Sequence, residues 1–453
     1  MFIGREKELG ILSDSMAGSR TAALVYGKRR VGKTTLIKQA IACQNKKAVY
    51  YECIKSSVKD NIDAFVKILS EQGIIAFTAQ FTSFQDVFSY LNSIGEEYVI
   101  VIDEYPYLKT MADAETVDSA FQYIIDNLLG NISLVISGSH ISIMREMLSE
   151  GNALYGRFSS VIALNELSYR DAARFYPSKT DYEKIGFHSV FGGSPFVLEK
   201  ISEADSLEDN IKKLILNENS PVYIYAAHLL LSDYSNSVNA ERVFAALGNG
   251  KKHYSELEKI LDTKKTGNIA KQLKYLMSMD IVKRSTPINR KEDSKKAVYE
   301  INDNLIRFFF CYVYKNRSAL LMIGADAFYR EYIQSSLTEF ISLRFEEQCR
   351  DFFSMQVMDG KLKGVRDIGS FYYDDPLNKT NGEFDVALEY SDHYALFEVK
   401  YYKKPLELDE IHREAGQVRQ IKELNVASLG FISASGFADK EPGYIYYSAN
   451  DLY

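Results

Sequence analysis

The chain has 453 residues, 46% hydrophobic and 25% charged, with a net charge of −7. That is a globular composition spread over too many residues for one core, and two to four domains are expected. Only 8 prolines and 26 glycines argue against long linkers or low-complexity segments. The four separated cysteines, Cys43, Cys53, Cys311 and Cys349, exclude a zinc ribbon and argue against a disulfide framework.

The opening residues, MFIGREKELGIL, are charged from the first turn and lack a signal-peptide core. The greasiest run, LIRFFFCYVY (Leu305 to Tyr314), is too short to span a bilayer and contains Arg307, so it reads as a buried helix. A cytoplasmic protein with no membrane partner is expected.

The segment AALVYGKRRVGKTTLIKQA reads as strand, turn and helix, with an apolar run at Ala22 to Tyr26 and helical spacing from Leu36. Gly27, Gly32, Lys33 and Thr34 fill the pattern G-x-x-x-x-G-K-[ST] without a departure. Its glycines let backbone N–H groups wrap a phosphate at a helix N-terminus. Lys33 reaches the β- and γ-phosphates, Thr34 ligates Mg²⁺, and Thr35 lies in the same nucleotide site. Tyr98 to Ile102 is a near-continuous apolar run suited to a doubly covered parallel strand. It ends in Asp103, expected to hold the Mg²⁺ through water, and Glu104, expected to orient and deprotonate the attacking water. A third strand, Ile132 to Ser139, ends in small polar residues. In AAA-type ATPases that strand tip senses the γ-phosphate, which points to Ser137 or Ser139, with a plain turn as the alternative. Arg157 precedes a fourth strand, Val161 to Leu164. Such ATPases place an arginine finger there, acting across the interface of a homo-oligomer, and a structural salt bridge is its rival.

The stretches FIGREKEL, YGKRRVGKTTL, VIDEYPYL, SGS, YGRFSSVIALNEL and FGGSPFVL occur in that order over roughly the first two hundred residues. Together they resemble the archaeal-type ATPase family, a branch of P-loop NTPases related to AAA+ and STAND proteins. The resemblance implies ATP rather than GTP as the nucleotide. It also implies that the segment around Phe2 to Arg5 lies near the base, which carries over to Ile3 and Arg5.

From residue 201 to 318 helical spacing dominates. VNAERVFAAL, HYSELEKILD and TGNIAKQLKYLMSMDIV read as three helices, the last capped at Thr266 to Asn268. IVKRSTP and AVYEIND then read as two short strands around the turn INRKEDSKK. Three helices and a hairpin are the layout of a winged helix, with Ile269 to Met279 as recognition helix. Residues 251–300 carry 13 Lys and Arg against 7 Asp and Glu. Lys271, Lys274, Lys283, Arg284, Arg290, Lys295 and Lys296 would form a basic face and wing suited to phosphate contacts. A purely structural winged helix packed on the ATPase is the alternative.

The last segment, 319–453, contains the amphipathic helix LTEFISLRFEEQCRDFF, and then EFDVALEY and YALFEVKYYKKP as a hairpin. With a two-residue turn at Asp392-His393, Asp385 faces Lys400, and Asp385, Glu398 and Lys400 share one side of the pair. A slip of one residue would part them. Two carboxylates can hold one divalent cation, Mg²⁺ or Mn²⁺, which activates water against a phosphodiester while Lys400 positions or polarises it. Asp followed by Glu-x-Lys resembles the PD-(D/E)xK nuclease core, with Phe384 in place of the motif's proline. By that resemblance Glu346, more than Glu347, supplies a further metal-ligating acid, and Gln417 matches an accessory glutamine. Such domains follow archaeal-type ATPase modules in proteins with a C-terminal domain of unknown function.

The expected architecture is thus α/β: a P-loop ATPase domain (1–200) with a parallel sheet, an α-rich winged-helix domain (201–318) and a restriction-endonuclease-like domain (319–453). The expected function is ATP binding and hydrolysis coupled to a nucleic-acid-binding, metal-dependent nuclease, with DNA the favoured partner. Its rivals are an ATP-gated DNA-binding regulator with an inactive nuclease fold and a STAND-like signalling scaffold.

Overall fold

The computed structural model describes residues 2–76, 78–109, 114–233, 240–261, 269–375, 380–419 and 426–453. The chain divides into two compact units, Met1–Leu167 with Ser194–Phe196, and Ser168–Gly193 with Val197–Tyr453. No described helix is long and apolar enough to cross a membrane.

The first unit is built on five parallel strands: β1 (Thr21–Tyr26), β2 (Lys47–Glu52), β3 (Tyr98–Asp103), β4 (Ile132–Gly138) and β5 (Ser160–Ala163), in the order β2-β3-β4-β1-β5. Both faces are covered, so alternate residues of one strand enter different cores. Ala22, Leu24 and Ile100 pack on one side, and Ala23, Val25 and Val99 on the other. That is why the three inner strands, β1, β3 and β4, read as unbroken apolar runs. In this order β4 lies between the P-loop strand and the strand ending in Asp103, so its tip reaches both.

The second unit holds two sheets among helices. Helices Ala240–Leu247, Tyr254–Leu261 and Ile269–Ser278 precede the antiparallel strands β7 (Val282–Ser285) and β8 (Val298–Ile301), and β8 also pairs with the short β6 (Lys252–His253). The cap expected at Thr266 to Asn268 lies outside the described residues. Leu305 to Tyr314 is helical and mostly buried, as its composition demands. The five-stranded mixed sheet comprises β9 (Asp367–Asp375), β10 (Thr380–Glu389), β11 (Tyr394–Lys400), β12 (Val426–Ser433) and β13 (Tyr444–Ser448), in the order β13-β12-β11-β10-β9. The long helix Leu337–Met358 packs on it, with Phe353 against Phe397 at 4.7 Å between ring centroids. Gln348 of this helix bonds the carbonyl of Ile185 and the hydroxyl of Ser189, so Asp181–Phe191 belongs to this unit.

The wing, expected as a basic face for phosphate contacts, packs on the mixed sheet. Ile288 enters the apolar cluster of the mixed sheet with Phe371 and Leu396. Asn289 exchanges two hydrogen bonds with the backbone of Tyr372, at 2.7 and 3.1 Å. Lys291 bridges Asp367 and Glu389 at 2.7 Å each. Part of the basic wing therefore serves to fasten the hairpin to β9.

The hairpin register of β10 and β11 also differs from the expected one. Val386 pairs with Phe397 and Glu389 with Tyr394, and the N–H of Tyr390 donates to the carbonyl of His393 at 2.9 Å. The two-residue turn is Ser391-Asp392, and extending this pairing sets Asp385 opposite Glu398, not Lys400. The displacement is two residues, so each side chain keeps its face. The stacked rings of Tyr390 and His393, 4.5 Å apart, explain why His393 joins the strand side of the turn.

Candidate active sites

The P-loop forms where β1 meets the helix Lys33–Ala42. Gly27 passes so close to β5 that a Cβ there would lie 2.1 Å from the carbonyl oxygen of Leu164, which bars any side chain. Arg30 (φ 67°) and Gly32 (φ 96°) turn the loop so that successive N–H groups can point inward. Ser194 and Phe196 brace it, the first bonding the carbonyl of Arg30 at 3.2 Å and the second lying 3.9 Å under its guanidinium. That gives a physical role to the FGGSPF stretch.

Lys33 is buried and donates to the carbonyls of Gly27 and Lys28 at 3.0 Å each and to Ser139 Oγ at 2.8 Å. Thr34 Oγ1 lies 3.3 Å from Asp103 Oδ2. Tyr50 and Ser137 also donate to Asp103, and the N–H of Glu104 reaches its Oδ1 at 2.9 Å. Two oxygen donors, Thr34 and Asp103, thus converge at the helix start, the donor chemistry that suits Mg²⁺. Glu104 occupies the left-handed region (φ 50°), a strained conformation that sets its carboxylate against Ser139 Oγ at 2.5 Å.

The sequence-predicted residues sort clearly. Gly27, Gly32, Lys33, Thr34, Asp103 and Glu104 come together, with Thr35 in the first turn of the P-loop helix. Ser137 is fully buried with its hydroxyl committed to Asp103, so at the strand tip it is Ser139 that faces Lys33 and Glu104. Arg157 has the geometry of the salt-bridge alternative. Its Nε contacts both Asp126 oxygens at 3.0–3.1 Å, and Nη1 donates to the carbonyls of Ala153 and Tyr155. Ile3 is buried, and Arg5 donates to the carbonyl of Asn165. Tyr50 and Ser139 were not singled out as certain members by the sequence. An aromatic in an alternating strand carries no signal for Tyr50.

In the second unit Asp385 lies at a β-bulge, where the pairing of β9 and β10 shifts between Phe384 and Ala387. Bulges re-aim side chains, and here Asp385 Oδ2 accepts the N–H of Val399 at 2.8 Å. Burial, then Glu346 and Glu398, push the Asp385 carboxyl well above the usual range, against Val399 and Lys400. Burial likewise raises Glu346 and Glu398. Lys400 donates to Glu398 Oε1 at 2.8 Å and lies 3.4 Å from Glu414. Burial alone would lower its pKa, but Glu398, Glu414 and Asp385 outweigh that, so Lys400 stays a cation.

The expected convergence of three carboxylates on one cation is not formed. Among the described residues no three Asp, Glu, His or Cys side chains gather to hold a metal ion. The reason is visible in the partners: Asp385 is tied to a backbone N–H and Glu398 to Lys400. What remains is a facing pair, Asp385 and Glu398, with Glu346 within electrostatic reach. Carboxylates that raise the proton affinity of Asp385 are oxygen donors whose chemistry fits a divalent cation.

Glu347, the rejected neighbour, belongs elsewhere. It pairs with Lys283 and with Arg344 at 2.9 Å, in a buried network that also joins Glu300 to Arg307 and Arg344. Glu414 was missed, because the sequence pointed three residues further to Gln417, whose side chain lies outside the described residues. Arg350, one helical turn after Glu346, was missed as well. It donates to the Asp385 carbonyl at 2.5 Å.

The matches to known families do not follow the boundary of the two units, since the first of them extends into Ser168–Gly193 of the second unit. Residues 2–201 match a family described as an ATPase domain predominantly from Archaea. Residues 309–414 match archaeal and bacterial proteins of unknown function. An uncharacterized protein of Methanocaldococcus jannaschii is 28% identical over 424 residues, covering 91% of each chain. A Walker-type ATPase of Pyrococcus abyssi shares the fold at 19% identity with a TM-score of 0.51, over 68% of this chain and 96% of its own. A weaker likeness, with a TM-score of 0.43 and 12% identity, is to the ORC2 protein of Aeropyrum pernix, over 71% of this chain and 95% of that one. The chain is therefore a P-loop ATPase that carries the ATPase domain of the predominantly archaeal family at its N-terminus and, in its C-terminal part, the domain of the archaeal and bacterial family of unknown function.

Proposed function

We propose that ATP turnover in the first unit controls a metal-dependent phosphodiester-cleaving site in the mixed sheet. The observation that carries this reading is the shared face of Asp385, Glu398 and Lys400 with Glu346 in reach. In the nucleotide site Gly27, Gly32, Lys33 and Thr35 would surround the phosphates, and Thr34 and Asp103 would hold Mg²⁺. Glu104 would take the proton of the attacking water, and Ser139 would carry the γ-phosphate contact. Ile3 and Arg5 would line the base side.

In the mixed sheet Asp385 and Glu398 would hold Mg²⁺ or Mn²⁺, which when bound supplies an activated water. Lys400 lends its fixed positive charge beside them, and burial in the sheet limits competing solvent. The three helices with the β7–β8 hairpin support a winged helix, and the basic residues that do not fasten the hairpin, Lys271, Lys274 and Arg284, support contact with nucleic acid, DNA in the first instance. The test is incubation of DNA or RNA with Mg²⁺ or Mn²⁺, with and without ATP. Cleavage lost in Asp385→Ala and Lys400→Ala is expected. Cleavage that survives both substitutions would rule out this site.

A second reading is favoured by the closed Lys400–Glu398 and Lys400–Glu414 pairs and the missing three-carboxylate set. In that reading the mixed sheet is a binding platform and the protein an ATP-gated regulator. Retained DNA binding without cleavage under every metal condition would establish it.

A further inference from the structure

Between the β6–β8 sheet and strand β9 lies a cleft of about 430 Å³, within the range that holds small ligands. Lys251, Lys283, Lys296, Arg350, Tyr372 and Glu383 are among its lining residues. Its positive charges are incompletely balanced. Beneath it three cations, Lys283, Arg307 and Arg344, share two carboxylates, Glu300 and Glu347. Lys296 lies 3.6 Å over the ring of Tyr372 and has no carboxylate partner among the described residues. Lys251 makes no hydrogen bond or ion pair with a described residue. Arg350 spends one N–H on the Asp385 carbonyl and has no ion-pair partner there either. Lys251, Lys296 and Arg350 thus lack an ion-pair partner among the described residues, with Glu346 acting on Lys251 and Arg350 only without contact, and half-buried cations so placed favour an anion.

The position of the cleft narrows what that anion is. Arg350 touches the backbone of Asp385, and Lys251 and Arg350 are the two cations whose fields act most on Glu346. An anion seated here lies beside the carboxylate pair of the mixed sheet.

We infer that this cleft seats a phosphodiester of a nucleic-acid strand, with Lys251, Lys296 and Arg350 as its anion contacts. The β6–β8 segment, which lies outside the residues matched to the C-terminal family, then supplies one wall of that domain's site. The fate of the phosphate rests on the nuclease reading, but its binding does not. A free mononucleotide carries the same phosphate chemistry and is the other source to be separated.

The experiment uses the full chain in EDTA, so that nothing is cleaved, and follows a labelled single-stranded oligodeoxynucleotide by fluorescence anisotropy at two salt concentrations. Lys251→Ala is expected to weaken binding about five-fold and to reduce the salt slope by about one. Lys251→Glu should weaken it further, and Lys251→Arg should restore it. Unchanged affinity and slope in both Lys251→Ala and Lys251→Glu would overturn the inference. Displacement by thymidine monophosphate as effective as by unlabelled strand would overturn the strand as occupant. Lys251-dependent binding without cleavage in metal sinks the nuclease reading and leaves the cleft standing. Asp385-dependent cleavage with binding indifferent to Lys251 does the reverse.

Discussion

In the first unit the residues that meet a nucleotide come mostly from one turn, Gly27 to Thr35, and from two neighbouring strand tips. In the second, Glu346, Asp385, Glu398 and Lys400 come from a helix and two strands far apart in the chain. The first set is already tied together by hydrogen bonds from Lys33 to loop carbonyls and to Ser139. The second holds three carboxylates whose proton affinities are raised by burial, that of Asp385 also by the other two. A local turn carries its geometry wherever the chain places it. A dispersed cluster depends on register, on a bulge and on a balance of buried charge.

The largest expected effect breaks the local site. Lys33→Ala removes the buried ammonium proposed to meet the phosphates, and Glu104→Gln removes the carboxylate proposed as the base. Each should lower ATP turnover by about three orders of magnitude, roughly 4 kcal/mol of barrier. Steady-state phosphate release measures this, and nucleotide binding should survive in Glu104→Gln. Equal turnover in wild type and Lys33→Ala would place hydrolysis elsewhere.

The same contrast governs what could be read from sequence. Strands β1, β3 and β4 were legible because doubly covered strands are unbroken apolar runs. The order of the helices and hairpin was legible from period, as was the common face of Glu398 and Lys400 on one strand. The register was not, since Ser391-Asp392 and Asp392-His393 are equally good turns until Tyr390 stacks on His393. The bulge at Asp385 leaves no mark in a sequence. Ser137 and Ser139 share a face by alternation, and only the end of β4 at Gly138 separates their roles. Lys283 read as a nucleic-acid contact, because its acidic partner Glu347 lies far along the chain.

Two neighbouring acids on the long helix sharpen the comparison. Glu347 is one of two carboxylates in a buried network with Lys283, Arg307 and Arg344. Glu347→Ala leaves those cations short of a partner and should cost about 3 kcal/mol of stability. Glu346 has no ion pair among the described residues, so Glu346→Gln should leave stability nearly unchanged. Denaturant unfolding of both variants decides it. Similar losses would mean that Glu346 is also structural.

A smaller effect concerns Asp351, whose carboxyl burial and then Glu347 push up to about 6. The folded state then holds a proton that the unfolded state releases near pH 4, so this group weakens the fold as pH rises from about 4 to about 6. Asp351 lies at the exposed side of its helix, so solvent screens most of this effect, and Asp351→Asn should remove a pH dependence of no more than about 1 kcal/mol. Unfolding midpoints at pH 4.5 and 7 measure it. An Asn variant with the same pH slope as wild type would show that the carboxyl is ionised throughout.

The smallest effect is expected where a catalytic role was one of two readings. Arg157 is held by Asp126 and by two carbonyls of its own turn, and both ion-pair partners are partly exposed. Such a pair contributes about 0.5 kcal/mol. Arg157→Ala should therefore change ATP turnover by no more than about twofold, at every protein concentration. A finger reaching across an interface behaves differently, because its loss costs about 10³ or more in turnover. Turnover per molecule would then climb with wild-type concentration and stay flat in the variant. A concentration series on both proteins separates the cases, since a local salt bridge has no means of sensing a second copy.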